Sequence, residues 1–354
     1  MTLSPERRAS LCAFAEAALA SGPVAVEPAS ADASFRSYWR VTTRDGTRYV
    51  VMDAPPGHED PTPWLDIGRR LRAAGLHAPE VHAADRDAGF VLMEDLGDRT
   101  YLPLLDDASA DTLYAPAFDA LLRMQRDVEI AGLPAYSRAK LVEEMELMPR
   151  WFLGRHLGFT PSCEEWDVLE AAFTRLVHAA FEQPRVFVHR DYHSRNLMLT
   201  LSNVPGIVDF QDACIGPVTY DLVSLLRDCY IAWPSARVDA WADAYRIRLE
   251  KAGVIRNGVE PVTFRRWFDL AGLQRHTKVL GIFCRLWYRD GKRQYLDDLP
   301  RVWGYTIRVA RSYPEFGAFA DLLEAALGTQ GEATLAMART PAPDGGPGAN
   351  SARP

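Results

Sequence analysis

Long apolar runs are missing from the 354 residues: no stretch approaches the roughly 20 residues that a membrane-spanning helix needs. Pro5, Glu6, Arg7 and Arg8 precede Leu11, Phe14 and Ala18, an amphipathic helix pattern without the apolar segment or cleavage site of a signal peptide. A cytoplasmic chain without a membrane partner is expected. Cysteine is sparse and odd in number: Cys12, Cys163, Cys214, Cys229 and Cys284 include no C-x-x-C pair, which excludes a disulfide framework and a zinc site. Positive charge is in deficit. The net charge is -7 with a pI near 5.7, and the basic residues are scattered, so nucleic acid is not expected as a partner. No segment points to an obligate protein partner, and no internal repeat is present. Lysine is absent from the first third of the chain, where none precedes Lys140.

What is present is a dense set of chemistry-bearing residues at one place. His189-Arg190-Asp191-Tyr192-His193-Ser194-Arg195-Asn196 spells H-R-D-x-x-x-x-N, and Val208-Asp209-Phe210 follows. In phosphoryl transfer such spacing serves one aspartate facing the acceptor hydroxyl, with an asparagine and a second aspartate holding magnesium on the nucleotide phosphates. Arg185–Val188 reads as a short buried strand delivering His189. Asn196–Leu199 and Gly206–Val208 read as a hairpin around Ser202-Asn203. Asp191 is therefore expected to orient and deprotonate the hydroxyl. Asn196 and Asp209 are expected to offer the hard oxygen donors that suit Mg2+. The competing reading is that these Asp and Asn residues only cap hairpin turns.

The motif, with Asp209-Phe210-Gln211-Asp212, Gly216-Pro217 and Tyr220-Asp221-Leu222, resembles the aminoglycoside phosphotransferase family of small-molecule kinases. More narrowly, 188–196, 209–230 and 281–300 resemble its bacterial branch of anomeric N-acetylmuramate and N-acetylglucosamine kinases, which act in cell-wall recycling. The resemblance implies an α+β, bilobal protein-kinase-like fold with a small β-rich N-lobe over 1–96 and a larger helical C-lobe over 97–328. It further implies ATP as phosphoryl donor, a Gly-Pro turn at 216–217, and an Asp221 bound to catalytic-loop amides. The strand exit Phe90–Gly97 resembles the family's hinge. There Met93 would wall the adenine pocket, with the Glu94 carbonyl and the Leu96 amide facing the base.

In the N-lobe, Phe35–Thr43 and Thr47–Met52 read as strands joined by an Asp45-Gly46 hairpin. Trp64–Ala74 reads as a helix ended by Gly75. The phosphate-covering loop has no glycine fork, leaving Ser34 and neighbouring amides for the phosphates. Val51-Met52 stands where the family's phosphate-binding lysine is expected, so Arg36, Arg40 and Arg48 become the candidate clamps.

Helical stripes at 115–127, 164–181, 220–230, 237–252, 262–283 and 299–313 build the C-lobe. Acceptor contacts are expected from Gln211 and Asp212 beside Asp209, and from Arg155 and Arg289 among Trp151, Trp287 and Tyr288. Residues 329–354, rich in Pro, Gly and Ala, are expected to be a disordered tail. The expected activity is ATP-dependent phosphorylation of the anomeric hydroxyl of an amino sugar. The rivals are another hydroxyl acceptor on the same scaffold (aminoglycoside, choline, homoserine) and a nucleotide-binding pseudokinase.

Overall fold

The computed structural model describes residues 3–19, 22–31, 35–202, 204–328 and 331–337. Ser34 lies outside them. Helix α1 (Pro5–Ala18) starts where the Ser4 side chain accepts from the Arg7 N–H and Pro5 fills the first turn. There follow β1 (Pro23–Ala31), β2 (Ser37–Thr43), β3 (Arg48–Asp53), α2 (Thr62–Ala73), β4 (Val81–Asp85) and β5 (Phe90–Glu94). Next come α3 (Ala110–Asp127), α4 (Arg138–Met145), a π-helical segment Met148–Leu157 and α5 (Cys163–Phe181). The motif region carries β6 (Arg185–Val188), β7 (Leu197–Met198), β8 (Gly206–Ile207) and β9 (Cys214–Pro217). Helices α6 (Tyr220–Leu226), α7 (Ser235–Lys251), α8 (Pro261–Tyr288), α9 (Leu299–Ser312) and α10 (Gly317–Leu327) complete the chain.

The first five strands form one antiparallel sheet in the order β1-β2-β3-β5-β4. Alternation along each strand separates two faces. Trp39, Val41, Val51, Phe90 and Leu92 bury one face against Leu11 and Ala15 of α1. The other face carries Arg40, Val50 and Met93, which sit opposite one another across three strands. The α+β reading holds: a sheet-rich N-terminal region precedes a largely helical remainder.

The boundary expected at residue 96/97 is not the one along which the chain divides. One compact unit is 1–136 with 181–268, the other 137–180 with 269–354. The motif hairpin explains why, because it bonds to the N-terminal region. Ile207 N–H donates to His77 O at 2.7 Å and Tyr101 N–H to Leu197 O at 2.8 Å. Two further expectations change. Gly216-Pro217 is not a turn but the end of β9, where Pro217 faces Arg185. A Cβ on Gly216 would meet Val188 Cγ2 at 3.1 Å, and a terminal proline removes no interior ladder donor. Helix α6 ends at Leu226 rather than Tyr230, because the Asp228 carboxylate accepts the Tyr230 N–H at 2.9 Å and turns the chain. Of the expected disordered tail, Glu332–Ala336 forms a short 3-10 turn with Leu335 buried. Residues 338–354 lie outside the described residues.

Candidate functional site

A buried four-residue strand, β6, carries the chain into His189, which is itself fully buried. Its Nε2 lies 3.1 Å from Val208 O, and Asp191 N–H reaches its Nδ1 at 3.3 Å. A neutral ring protonated on Nε2 satisfies both contacts. Burial pushes the His189 pKa down to about 4, against about 6.5 in an unfolded chain. The folded chain thus binds fewer protons than the unfolded one between those values, so His189 costs stability as pH falls from about 6.5 to 4. The loss is about 3 kcal/mol in all. Denaturant midpoints of the native chain and His189→Asn should converge as pH falls through that window, and parallel pH profiles would contradict the assignment.

Asp221, fully buried on α6, accepts the amides of His189 (2.7 Å) and Arg190 (2.9 Å). This is the role expected of it. The pair of bonds holds Arg190 at a φ of 78°, a conformation that costs a non-glycine residue about 1–3 kcal/mol and clusters at functional sites. Sequence reasoning missed Asp228. It is fully buried, and it accepts the Ser194 N–H at 3.0 Å and the Ser194 hydroxyl at 2.5 Å. Beside it the Arg195 guanidinium lies 3.5 Å above the Tyr230 ring. Asp228 lies beyond the end of α6, so the helical spacing that marks Asp221 does not announce it.

Between these anchors sit the reacting candidates. Asn196 Nδ2 donates to Asp191 O at 3.0 Å and to Asp209 Oδ2 at 3.1 Å, so one amide ties the H-R-D loop to the second aspartate. Asp209 is the other non-glycine residue at positive φ among the described residues, 63°. Its Oδ1 accepts from Gln211 Nε2 at 2.9 Å and lies 4.0 Å from Arg36 Nη2. The Phe210 ring packs on Trp64 of α2 with centroids 5.1 Å apart. A Cβ on Gly68 would come within 3.3 Å of that ring. Helix α2 therefore seats Asp209 by apolar packing, and its Asp66 is engaged with Arg69 and Arg70.

A cavity of about 390 Å³ opens on this constellation. Met93, Glu94 and Leu96 line it from the strand exit, Arg40 and Val50 from the sheet, and Asn196 and Asp209 from the motif. The three hinge candidates are thus brought onto the same cavity as the metal candidates.

The structure separates the three arginine candidates. Arg40 is held by Asp95 through two bonds of 2.6 and 3.0 Å and by Asp98 at 2.7 Å. The Asp95 bond lifts its pKa further above the ordinary arginine value. Arg48 is exposed, 3.6 Å from Asp95. Met52, in the expected lysine position, is fully buried. Arg36 alone of the three reaches Asp209, with its side chain 9% exposed.

The acceptor candidates fall into two groups. Gln211 and the exposed Asp212 flank Asp209, and Asp212 lies 3.7 Å from Arg190 Nη1. Arg155 and Arg289 line a separate cavity in the second unit.

Residues 25–257 match the model of the Phosphotransferase enzyme family. The chain belongs to that family. Over 303 residues it is 46% identical to a Pseudomonas aeruginosa protein named N-acetylmuramate/N-acetylglucosamine kinase, covering 85% of this chain and 88% of that one. Relatives of the same name in Pseudomonas putida and Neisseria meningitidis are 44% and 39% identical, covering 83% and 85% of this chain and 86% and 90% of theirs. Among solved structures, the ADP-bound aminoglycoside phosphotransferase APH(2'')-Ib superposes with a TM-score of 0.57 at 15% identity, covering 87% of this chain and 99% of that one. Choline kinase LicA from Streptococcus pneumoniae gives 0.58 at 14%, covering 86% and 98%. These likenesses show the protein-kinase-like fold. The chain is a phosphotransferase of that fold. Among the described residues no helix is long and apolar enough to cross a membrane.

Proposed function

We propose that this protein transfers the γ-phosphoryl group of ATP to the anomeric hydroxyl of N-acetylmuramate and N-acetylglucosamine, as a kinase of cell-wall recycling. The observation that carries the chemistry is the Asn196 amide, bonded at once to the Asp191 main chain and the Asp209 carboxylate. The relatives' names supply the acceptor.

The 390 Å³ cavity takes the nucleotide, with its base against Met93 and the Glu94–Leu96 backbone and its phosphates toward Asn196 and Asp209. Asp191 receives the proton of the sugar hydroxyl, whose oxygen forms the new bond to the γ-phosphorus as the bond to ADP breaks. Asp209 and Asn196 would hold Mg2+. The site fits that ion. The Asp209 carboxylate already collects amide donors and lies near a guanidinium, and the neighbouring Gln211 Oε1 is buried without a hydrogen-bond partner among the described residues. No cluster of three or more His, Cys, Asp or Glu suited to a metal occurs among the described residues, and magnesium needs only one or two carboxylates beside phosphates and water. When bound, it neutralises charge developing on the phosphates. Gln211 and Asp212 would contact the sugar.

Arg36 supplies the phosphate clamp that the lysine-free N-terminal region lacks. Arg36→Ala should weaken use of ATP about ten- to a hundredfold, the worth of a charge-assisted bond, and Arg36→Lys should recover only part of it. Arg48→Ala should leave the KM for ATP unmoved. An Arg36→Ala chain with native ATP dependence would return the charge to magnesium and backbone amides.

The function is tested by ADP release with ATP, magnesium and a panel of the two amino sugars, an aminoglycoside, choline and homoserine. Release with the amino sugars alone is expected. Turnover of a cationic acceptor instead would overturn the assignment.

A further inference from the structure

In the first unit, the segment that leaves β5 is tied back by a buried ion pair. The Asp95 side chain is 3% exposed, and that of Arg40, on β2, is 16% exposed. The guanidinium holds the carboxylate through Nε at 2.6 Å and Nη2 at 3.0 Å, and Nη2 also reaches the exposed Asp98 at 2.7 Å. Asp95 Oδ1 accepts the Gly97 N–H as well, at 2.9 Å. Gly97 turns the chain there at a φ of 86°, a conformation in which a side chain would be strained. Burial pushes the Asp95 pKa up, but the Arg40 and Gly97 bonds and the neighbouring arginine charges outweigh it and leave the carboxyl below its ordinary range. A carboxylate so far out of water needs such pairing to stay charged.

The pair brackets Leu96. The Leu96 side chain is seated on β8, where a Cβ on Gly206 would meet its Cδ1 at 3.0 Å. The amides around it are engaged: Gly97 N–H by Asp95, and Glu94 N–H by Glu80 O at 2.8 Å. The Leu96 N–H itself has no hydrogen-bond partner among the described residues, and Leu96 lines the 390 Å³ cavity with Arg40, Asp95, Asn196 and Asp209. An open amide on a cavity wall calls for an acceptor on whatever fills the cavity.

We propose that the Arg40–Asp95 pair positions the nucleobase rather than clamping the phosphates: it fixes the Leu96 N–H at the base edge and so makes this enzyme prefer adenine to guanine. The assignment rests on the nucleotide placement given above. Adenine offers N1 as an acceptor to a donor at that edge, whereas guanine carries a hydrogen on N1. A donor held rigidly in place therefore rejects guanine. Arg40 and Asp95 are positioning residues that act through Leu96.

The test measures adenosine and MgATP binding by calorimetry, and kcat/KM for ATP and GTP with N-acetylglucosamine as acceptor, in the full chain and in Asp95→Asn and Arg40→Met. Each variant should weaken adenosine and ATP by the same factor, about three- to tenfold. The preference for ATP over GTP should fall by that factor too, through KM rather than kcat. Arg40→Lys keeps the charge without the fork and should give an intermediate loss, and it serves in place of Arg40→Met if that variant fails to fold. A loss for ATP with adenosine binding unchanged would make Arg40 a phosphate clamp. Equal losses for ATP and GTP would leave the pair a purely structural part. Either result overturns the proposal, as do variants with native affinities. The adenosine comparison needs no acceptor, so it decides the matter even if the sugar assignment fails. If the unaltered chain binds neither adenosine nor ATP, the nucleotide placement falls and the role of the pair falls with it.

Discussion

Asp191→Asn is expected to lower turnover by about 10²–10⁴-fold, the usual contribution of a positioned general base. The mechanism assigns the side chain only to the acceptor hydroxyl, so nucleotide affinity should persist. The scaffold should also survive. Main-chain contacts of Asp191 help shape the loop: its carbonyl accepts from His193 N–H and Asn196 Nδ2, and its N–H reaches His189. An amide of the same shape leaves those in place. Single-turnover rates with saturating sugar, set beside calorimetric MgATP binding, separate the two effects. Near-native turnover would remove Asp191 from the chemistry.

Asp209→Ala should act on a different quantity. Its carboxylate is the charged member of the proposed magnesium pair, and Asn196, Gln211 and Arg36 all turn toward it. Removing it should abolish magnesium-dependent nucleotide binding and with it turnover. Folding should hold, because Phe210 still packs on Trp64. The positive φ of Asp209 disfavours alanine, so Asp209→Asn, which tolerates that conformation and keeps the shape, is the companion variant. Unchanged MgATP affinity in either folded variant would place the metal elsewhere.

The catalytic loop was legible in the sequence because its chemistry is local. Asp191, Asn196 and Asp209 lie within nineteen residues, and hairpin connections leave few ways to arrange them. Strands β2, β3 and β5 were legible from alternation and the Asp45-Gly46 turn. The less legible features depend on partners distant in sequence. Strand β1 (Pro23–Ala31) contains two prolines and a glutamate and carries no strand signal of its own, and pairing with β2 makes it a strand. The division between units turns on bonds such as Ile207 to His77, which no periodicity announces. The choice among Arg36, Arg40 and Arg48 likewise needed the position of Asp95, more than fifty residues away in sequence from Arg40. Backbone recognition at Met93–Leu96 leaves almost no side-chain trace, and here the family resemblance located what the residues alone could not.

Regiochemistry tests the central claim most directly, because it asks at one stroke whether the chain is a kinase, of which acceptor, and at which oxygen. The protein is incubated with ATP, magnesium and N-acetylmuramate or N-acetylglucosamine, and the product is read by phosphorus and proton NMR. Coupling of the new phosphorus to the anomeric proton, with one ADP formed per sugar phosphate, is the predicted result. A phosphate on any other oxygen, or ATP left intact with both sugars, would contradict it.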